Sequence, residues 1–485
     1  MNAVYMIIGT CLGIMAGAIP GLSATMAISL LVPVTFVMEP LSGLAMLAGI
    51  YNGGMFGGSI SSILFNVPGA ASAAVTAFDG HPMTKKGQSA RALQLSVLAS
   101  FVGGTISVLA LLLMAPALAK VVLMFGPAEY FWVAIFGLSI VVSLSSQSMI
   151  KGLLSGLLGL LAAQVGMDPV TAFPRFTFDN IYLSGGFLLT AVLLGMFSVP
   201  EAISLLEKKS KTMVAEQIES TEKVRLFSCF KPYWLDYLIS SVVGVIIGVI
   251  PAAGGNIASF VSYDVAKKLS NHPKKFGTGI PEGVIASEAA NNGCTGGSFV
   301  PLLTMGIPGS PAAAAIMGAF MVHGLVLGPQ LFTGNPEIIY GLMWAMFLTN
   351  FVMLFAGFYG AKVFRKALSL PKEVLSPLIL VFCILVVYSM RGYMFDVAVM
   401  LGFGVVAFIM KKFGYSSAAF ILGFILSPLA EKNMLRTLKI SNNSISGFFN
   451  SPLSFLMIAI TVISVAAPIV IDLMKKKKAA SQKES

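Results

Sequence analysis

The sequence predicts an all-α polytopic membrane protein built from inverted structural repeats, with discontinuous helices or re-entrant hairpins and roughly 12–15 membrane segments. Three observations support this fold class: the composition is strongly apolar, a polar glycine- and proline-rich element occurs once in each half, and the basic residues around the two copies are distributed in opposite order. Of the 485 residues, 56% are hydrophobic and only 11% are charged. The mean hydropathy is +0.88.

Several apolar windows are long enough to cross a bilayer, which requires roughly 20 residues in a helix. Examples are residues 92–118, 338–360 and 452–473. Residues 5–19 look like a signal peptide but lack a basic n-region, so we expect a retained helix there. The net charge of +11 does not require a nucleic acid partner, because most Lys and Arg residues stand in short loops and in the tail, as the positive-inside rule predicts.

Two related polar elements stand out, at residues 51–70 and 282–311. Each contains Asn-Gly, then Gly-Gly-Ser, and then Pro-Gly 16 residues after the asparagine (Asn52 and Asn292). Interrupted polar segments at corresponding positions of two halves are the best indication in a sequence of a transporter's binding site.

A second match supports an internal duplication. Residues 13–20 and 244–251 both read Gly-x-x-x-Gly-x-Ile-Pro, at an offset of 231 residues. Two matched blocks in the same order predict a repeat of about 230 residues. The small residues Gly9, Gly13 and Gly17 are spaced for close helix packing, and we predict that role for them.

The basic residues indicate how the two halves are oriented. In the first half, residues 33–49 contain no Lys or Arg, whereas residues 80–91 contain three. In the second half the order is reversed, with four Lys in residues 264–280 and none in 322–337. Because basic residues accumulate in cytoplasmic loops, the two elements are predicted to cross the membrane in opposite directions.

These patterns divide the chain into five predicted regions. They are a first repeat (1–206), a cytoplasmic linker (207–232), a second repeat (233–430), an extra C-terminal helix region (431–474) and a cytoplasmic basic tail (475–485).

The polar elements predict a wet pocket for an anion. Backbone that is not helical needs protein cover or a polar cavity at membrane depth. Helices that restart after Pro-Gly would direct N–H groups into that pocket, which favours an anion by about 0.3–1 kcal/mol per helix. Neutral hydroxyl and amide groups add donors suited to carboxylates: Ser59, Asn66, Ser298, Thr304 and Ser310.

Carbonyl and amide oxygens in unwound backbone predict a second ligand, Na⁺, as the coupling ion. The alternative is that the Gly and Asn residues only permit close helix packing. No metal beyond this possible Na⁺ is expected. The predicted ion-binding residues are Ser23, Asn52, Asn256, Asn291, Asn292 and Thr295.

Three acidic residues lie near the elements. Asp79 and Glu282 adjoin basic loops, and we interpret them as interface or hinge residues. Glu288 lies closer to the polar core, where ionisable residues are functional candidates.

Five stretches of the chain resemble the large membrane subunit of the tripartite tricarboxylate transporter family. The matching stretches are 19–24, 51–69, 79–87, 244–251 and 276–311, of which the last is highly specific. The chain departs from the family pattern at Ala252, where a glycine usually follows the proline.

The resemblance implies a symport system with a small four-helix membrane subunit and a periplasmic solute-binding protein. It further implies import of carboxylates such as citrate, tartrate or aromatic acids across the bacterial inner membrane, driven by Na⁺ or H⁺ rather than ATP. A relationship to TRAP-type large subunits implies an elevator-type motion. The positions it suggests for substrate binding are Gly57, Gly58, Ser59, Asn66, Pro68, Gly69, Gly297, Ser298, Thr304, Gly306, Pro308, Gly309 and Ser310.

The sequence fits two other functions, an intramembrane enzyme and a passive channel, less well than a transporter. An intramembrane enzyme is disfavoured because the sequence has no HExxH, no GxSxG and no paired intramembrane aspartates. We therefore expect no catalytic residues and no cofactor other than a coupling ion. A passive channel is disfavoured by the inverted halves and stays open as an alternative.

Overall fold

The structure is a computed structural model. It describes residues 2–19, 23–66, 68, 70–141, 149–168, 173–207, 229–250, 253–359 and 372–462. The statements below concern these residues.

The described chain is almost entirely helical, with one short antiparallel pairing of β1 (Gly166–Met167) and β2 (Pro174–Arg175). The helices of the first half are α1 (Asn2–Ala18), α2 (Ala24–Thr35), α3 (Pro40–Phe65), α4 (Ala74–Lys85), α5 (Ser89–Val122), α6 (Pro127–Val141), α7 (Met149–Ala162), α8 (Ile181–Ser184) and α9 (Leu189–Glu207). Those of the second half are α10 (Trp234–Val249), α11 (Gly254–Leu269), α12 (Pro281–Met305), α13 (Pro311–Val322), α14 (Leu331–Gly334), α15 (Pro336–Tyr359), α16 (Lys372–Arg391), α17 (Met394–Lys412), α18 (Ser417–Ile440) and α19 (Pro452–Val462).

The chain forms two compact units. Unit 1 comprises residues 1–120 and 197–392, and unit 2 comprises residues 121–196 and 393–485. Each unit takes residues from both sequence halves, so the boundaries of the units do not correspond to the predicted boundaries of the repeats. The repeat boundaries stay predictions. Most of the predicted linker (208–228) and the whole basic tail lie outside the described residues.

In unit 1 the two halves repeat the same order of four helices. Helices α1 to α4 contain 17, 12, 26 and 12 residues, and helices α10 to α13 contain 16, 16, 25 and 12. In both sets the chain breaks between the first and second helices, after the Gly-x-x-x-Gly block. Helix α1 ends at Ala18 and α2 begins at Ala24, and helix α10 ends at Val249 and α11 begins at Gly254.

The helix contacts are also equivalent in the two sets. Gly13 of α1 lies against the carbonyl of Ile50 in α3, and Gly244 of α10 lies against the carbonyl of Ala290 in α12. One turn further along, Gly17 meets Gly54, and Gly248 meets Cys294. These partners are offset by 231 residues in the first helix of each pair and by 240 in the second. The predicted packing role of the small residues is confirmed.

The interpretation that the backbone is unwound at the Asn-Gly and Gly-Gly-Ser motifs is wrong. Both motifs lie inside continuous helices, α3 and α12, whose residues 42–63 and 283–304 are all buried. The glycines serve packing instead. Gly53 and Gly57 lie against backbone of α1, while Gly293 and Gly297 lie against backbone of α10. Buried helices surrounded by other helices satisfy their own backbone hydrogen bonds and tolerate glycine at such close approaches.

We expect Gly13→Leu to impair folding of unit 1. A Cβ at Gly13 would lie 2.7 Å from the Cα of Ile50 and closer still to its carbonyl oxygen, and backbone atoms cannot move aside as a flexible side chain can. Overpacking of this kind typically costs about 1–3 kcal/mol, and more where backbone must shift. Thermal unfolding and monodispersity in detergent measure the effect. The matched control is Gly402→Leu, because Gly402 is exposed and has open space around it. A Gly13→Leu protein as stable as this control would contradict the prediction.

Unit 2 is held together by close helix contacts and by polar links at its loops. Gly159 of α7 and Gly423 of α18 each lie against backbone of the other helix. Arg175 donates to both oxygens of Glu431, at 2.6 and 3.2 Å. This pair joins the β1–β2 loop to α18, which runs unbroken across the predicted boundary at residue 430.

Four helical segments are long and apolar enough to cross a membrane: Ser89–Val122, Lys231–Val249, Pro336–Phe358 and Met394–Lys412. Six shorter apolar helices accompany them among the described residues. The chain is therefore an all-α membrane protein. The total of 12–15 segments stays a prediction.

Candidate functional site

The polar elements of the sequence form two helix hairpins in unit 1. The first hairpin consists of α3, a tip that begins at Asn66 and leads into a 3-10 turn at Ala71–Ala73, and α4. The second consists of α12, a tip at residues 306–310, and α13. The helix breaks that the sequence predicts are present at these Pro-Gly ends.

The second tip is tightly held. Gly306 ends α12 in the left-handed conformation, at φ 72°, and its N–H bonds to Leu302, as in a glycine C-cap. Gly309 donates to the carbonyl of Ser298 at 3.3 Å and accepts from the N–H of Gly254 at 3.2 Å. Ser310 then begins α13, with its hydroxyl accepting from the N–H of Ala313. The tip is thus fixed to α12 and to the start of α11.

Tyr51 joins the two hairpins. Its hydroxyl lies 3.2 Å from the hydroxyl of Ser298 in α12 and 2.9 Å from that of Ser310 at the second tip. Its ring lies 6.1 Å from that of Phe299. Tyr51 is fully buried. Tyr51 of the first hairpin therefore meets residues 298–310 of the second.

The first tip differs from the second. Asn66 ends α3 in the left-handed conformation, at φ 55°, and both Asn66 and Pro68 are exposed. Gly69 lies outside the described residues. Asn is one of the few residues with a side chain that tolerates this conformation, which explains how α3 ends without glycine.

Three of the four predicted ion-binding asparagines are buried and carry unpaired oxygens. Asn52, Asn291 and Asn292 are fully buried, and among the described residues their Oδ1 atoms have no hydrogen-bond partner. Their amide groups do have partners. Asn291 donates to the carbonyl of Met55 at 3.2 Å, and Asn292 donates to that of Glu288 at 3.3 Å. A buried unpaired oxygen costs about 1–3 kcal/mol, so such atoms need a functional or structural explanation.

Asn52 connects the first hairpin to α15. Its Nδ2 donates to the Thr349 hydroxyl at 2.7 Å and to the Met346 carbonyl at 3.2 Å. Asn350 is the next polar group, with its Oδ1 at 3.5 Å. All three side chains, Asn52, Thr349 and Asn350, are fully buried.

Glu288 is a buried carboxylate of α12. Thr76 of α4 donates to its Oε1, and Ser100 of α5 donates to its Oε2 at 3.2 Å. Ser287 extends the network, at 3.0 Å from Thr76. The carboxylate is held by neutral hydroxyl groups from two neighbouring helices.

Asp79 links α4 to the loop that precedes α12. Its carboxylate accepts from the N–H groups of Gly277, Gly279 and Ile280, at 2.7–3.1 Å. The Tyr263 hydroxyl donates to it at 2.8 Å. These contacts agree with the interpretation of Asp79 as an interface or hinge residue.

The remaining predicted site residues have mostly structural partners. Ser59 bonds to the carbonyl of Phe56 and to the hydroxyl of Ser96, and Thr304 bonds within its own helix. Ser23 caps α2, Thr295 bonds to the Asn292 carbonyl, and Asn256 is exposed on α11. Gly58 packs on the turn that follows the first tip, and Pro308 is buried within the second. The roles of these residues in binding stay predictions.

Sequence reasoning did not single out Tyr51, or the partners of Glu288 and Asn52 on other helices. Tyr51 directly precedes Asn52, but nothing in the sequence indicates that it faces Ser310. The adjacent Thr349 and Asn350 offer a usable signal, because two polar residues inside an apolar span require partners.

Paired helix hairpins that enclose buried polar groups, in a chain with membrane-spanning helices, define a polytopic membrane transport protein. The tripartite tricarboxylate transporter TctA family matches residues 3–422. The chain belongs to this family, which makes it a tricarboxylate transporter subunit.

Two relatives come from Agrobacterium vitis. An "uncharacterized 52.8 kDa protein in TAR-I ttuC' 3'region" is 35% identical over 478 residues, covering 98% of this chain and 95% of the relative. An "uncharacterized protein in TAR-II ttuC' 3'region" is 33% identical over 234 residues, covering 48% of this chain and 97% of the relative. No solved structure matches the chain.

Proposed function

We propose that the chain is the large membrane subunit of a secondary-active importer of small organic carboxylates of the tricarboxylate or dicarboxylate type. An ion gradient, of Na⁺ or H⁺, drives the import. The subunit works with a small four-helix membrane subunit and a periplasmic solute-binding protein. It lies in the bacterial inner membrane with its C-terminus in the cytoplasm.

The observation that carries this proposal is the contact between the hairpins at Tyr51. The second tip, where helix α13 begins, contacts a tyrosine of the first hairpin. Three neutral hydroxyl groups meet there, those of Tyr51, Ser298 and Ser310. Neutral hydroxyl groups beside a helix N-terminus suit a carboxylate, because they supply donors without the desolvation cost of a buried cation.

The oxygens of Asn52, Asn291 and Asn292 support the ion-coupled part of the proposal. Hard cations prefer carbonyl and amide oxygens, and unpaired ones already buried need no further desolvation to bind. The repeated order of helices in unit 1, together with the opposite charge patterns, supports inverted repeats and an elevator-type motion of the hairpins.

The test is uptake by vesicles that contain this chain with both partner subunits and the binding protein. Labelled citrate and tartrate should accumulate when an inward Na⁺ or H⁺ gradient is imposed, and should stop accumulating when both gradients are collapsed. Uptake that persists without gradients but requires ATP would contradict the mechanism. Single-channel currents in planar bilayers would instead favour a passive channel.

A further inference from the structure

We propose that Glu288 is a proton-binding residue of the transporter, and that the proton it carries couples transport to the H⁺ gradient. This inference rests on the proposed function and specifies its coupling ion. The carboxylate of Glu288 takes up one proton on one side of the membrane and releases that proton on the other. No other bond is made or broken.

The first support is the absence of a compensating cation. Glu288 is fully buried in α12, and no Lys, Arg or His nitrogen among the described residues lies within 4 Å of its carboxylate. A buried carboxylate needs a paired charge to offset its desolvation, and here both oxygens have only hydroxyl partners, Thr76 and Ser100. Binding a proton removes the buried charge, and either hydroxyl can accept as well as donate.

The second support is the position of Glu288 between the two hairpins. It lies on the second hairpin, and the hydroxyl that donates to its Oε1 belongs to Thr76 in α4 of the first hairpin, so this hydrogen bond joins the two hairpins. A change in the charge of Glu288 therefore acts on both hairpins at once.

Among the other titratable groups on the surrounding elements, Asp79, Tyr237 and Tyr263 have hydrogen-bond partners of their own. Asp79 of α4 accepts from three N–H groups and from Tyr263 of α11. Arg91 of α5 bonds to Tyr233, and the Tyr237 hydroxyl of α10 donates to a backbone carbonyl. The titratable groups on these elements include Tyr51 of α3, Asp79 of α4, Arg91 of α5, Tyr237 of α10, Tyr263 of α11, and Glu282 and Cys294 of α12.

The experiment compares the wild type with Glu288→Gln, each assembled with its partner subunits in proteoliposomes that contain a pH-sensitive dye. Labelled citrate is the first probe, and labelled tartrate is the second probe. Wild-type uptake should be accompanied by proton influx and should fall about tenfold per pH unit on the alkaline side, as one required proton predicts. Glu288→Gln should lose proton influx, and its gradient-driven uptake should fall at least about tenfold, since the amide cannot release a proton. It should keep citrate counterflow, which needs no net proton movement.

Glu282→Gln is the matched control, because Glu282 lies on the same helix, at its first turn, and should leave proton influx unchanged. Glu288→Asp retains a carboxyl group and should retain proton influx. If Glu288→Gln does not assemble, Thr76→Val and Ser100→Ala take its place. Removal of a hydroxyl partner should move the pH of half-maximal uptake, and an unchanged pH profile in both would overturn the proposal.

Three results count against Glu288 as the proton site. In the first, Glu288→Gln keeps its proton influx and pH dependence. In the second, it loses only its Na⁺ dependence. In the third, the folded variant loses counterflow together with uptake. Any of these leaves the proposed function standing if the wild type transports. A wild type that gives neither uptake nor counterflow with citrate or tartrate would contradict the proposed function itself.

Discussion

Gly309→Ala is expected to reduce transport by roughly tenfold to hundredfold while the protein still inserts into the membrane. A Cβ at Gly309 would lie 2.5 Å from the carbonyl oxygen of Gly248, 2.5 Å from the Cα of Ser298 and 2.7 Å from its Cβ. Two of these atoms are backbone of helices α10 and α12, which cannot give way. The tip must move outward, and it would carry Ser310 away from Tyr51.

The size of this effect follows from the packing. Overpacking a tight site costs about 1–3 kcal/mol, which corresponds to roughly a tenfold to hundredfold loss of the correctly seated tip. Uptake of labelled citrate should fall by a similar factor.

Gly334→Ala is the control for Gly309→Ala, because Gly334 is exposed at the end of α14 and a Cβ there meets nothing within 4 Å. Normal uptake by Gly309→Ala would show that the position of the second tip does not matter for transport.

Asn292→Ala should separate function from stability. The side chain is fully buried, with a single hydrogen bond of 3.3 Å from Nδ2 and an Oδ1 that has no partner among the described residues. Removing a buried unpaired polar atom is often neutral or stabilising, so the thermal unfolding temperature should stay the same or rise slightly. Uptake should fall at least about tenfold if the oxygen binds a cation that transport requires, since one lost ligand typically costs more than 1.4 kcal/mol.

Asn433→Ala is the control for this variant. Asn433 of α18 makes the same kind of bond, from Nδ2 to the carbonyl four residues earlier, at 2.8 Å, but lies outside the predicted site. Its replacement should lower stability slightly and leave uptake unchanged. If Asn292→Ala transports normally, or unfolds far below the wild type, the oxygen is not an ion ligand and the side chain serves packing.

The helical membrane fold, the repeated block and the tip positions could be read directly from residues. Apolar spans such as 92–118 fall within observed helices, and the Pro-Gly pairs coincide with the tips, because proline and glycine change backbone conformation locally. The Asn-Gly and Gly-Gly-Ser motifs misled the prediction. A glycine such as Gly53 or Gly293 looks the same in the sequence whether it breaks a helix or lets another helix approach closely. Only the helix packed against it in the structure distinguishes the two roles.

By itself, the sequence determined that this is a membrane protein of the TctA family, where its hairpins turn, and which small residues its helices use to pack. Only the tertiary structure decided that α3 and α12 are continuous, that Tyr51 meets Ser310, and that Glu288 is held by Thr76 and Ser100. The physical reason is the distance along the chain between the residues that decide each feature. Turns and spans depend on neighbouring residues, whereas these contacts join side chains 188 to 259 residues apart, and they exist only after the helices have packed.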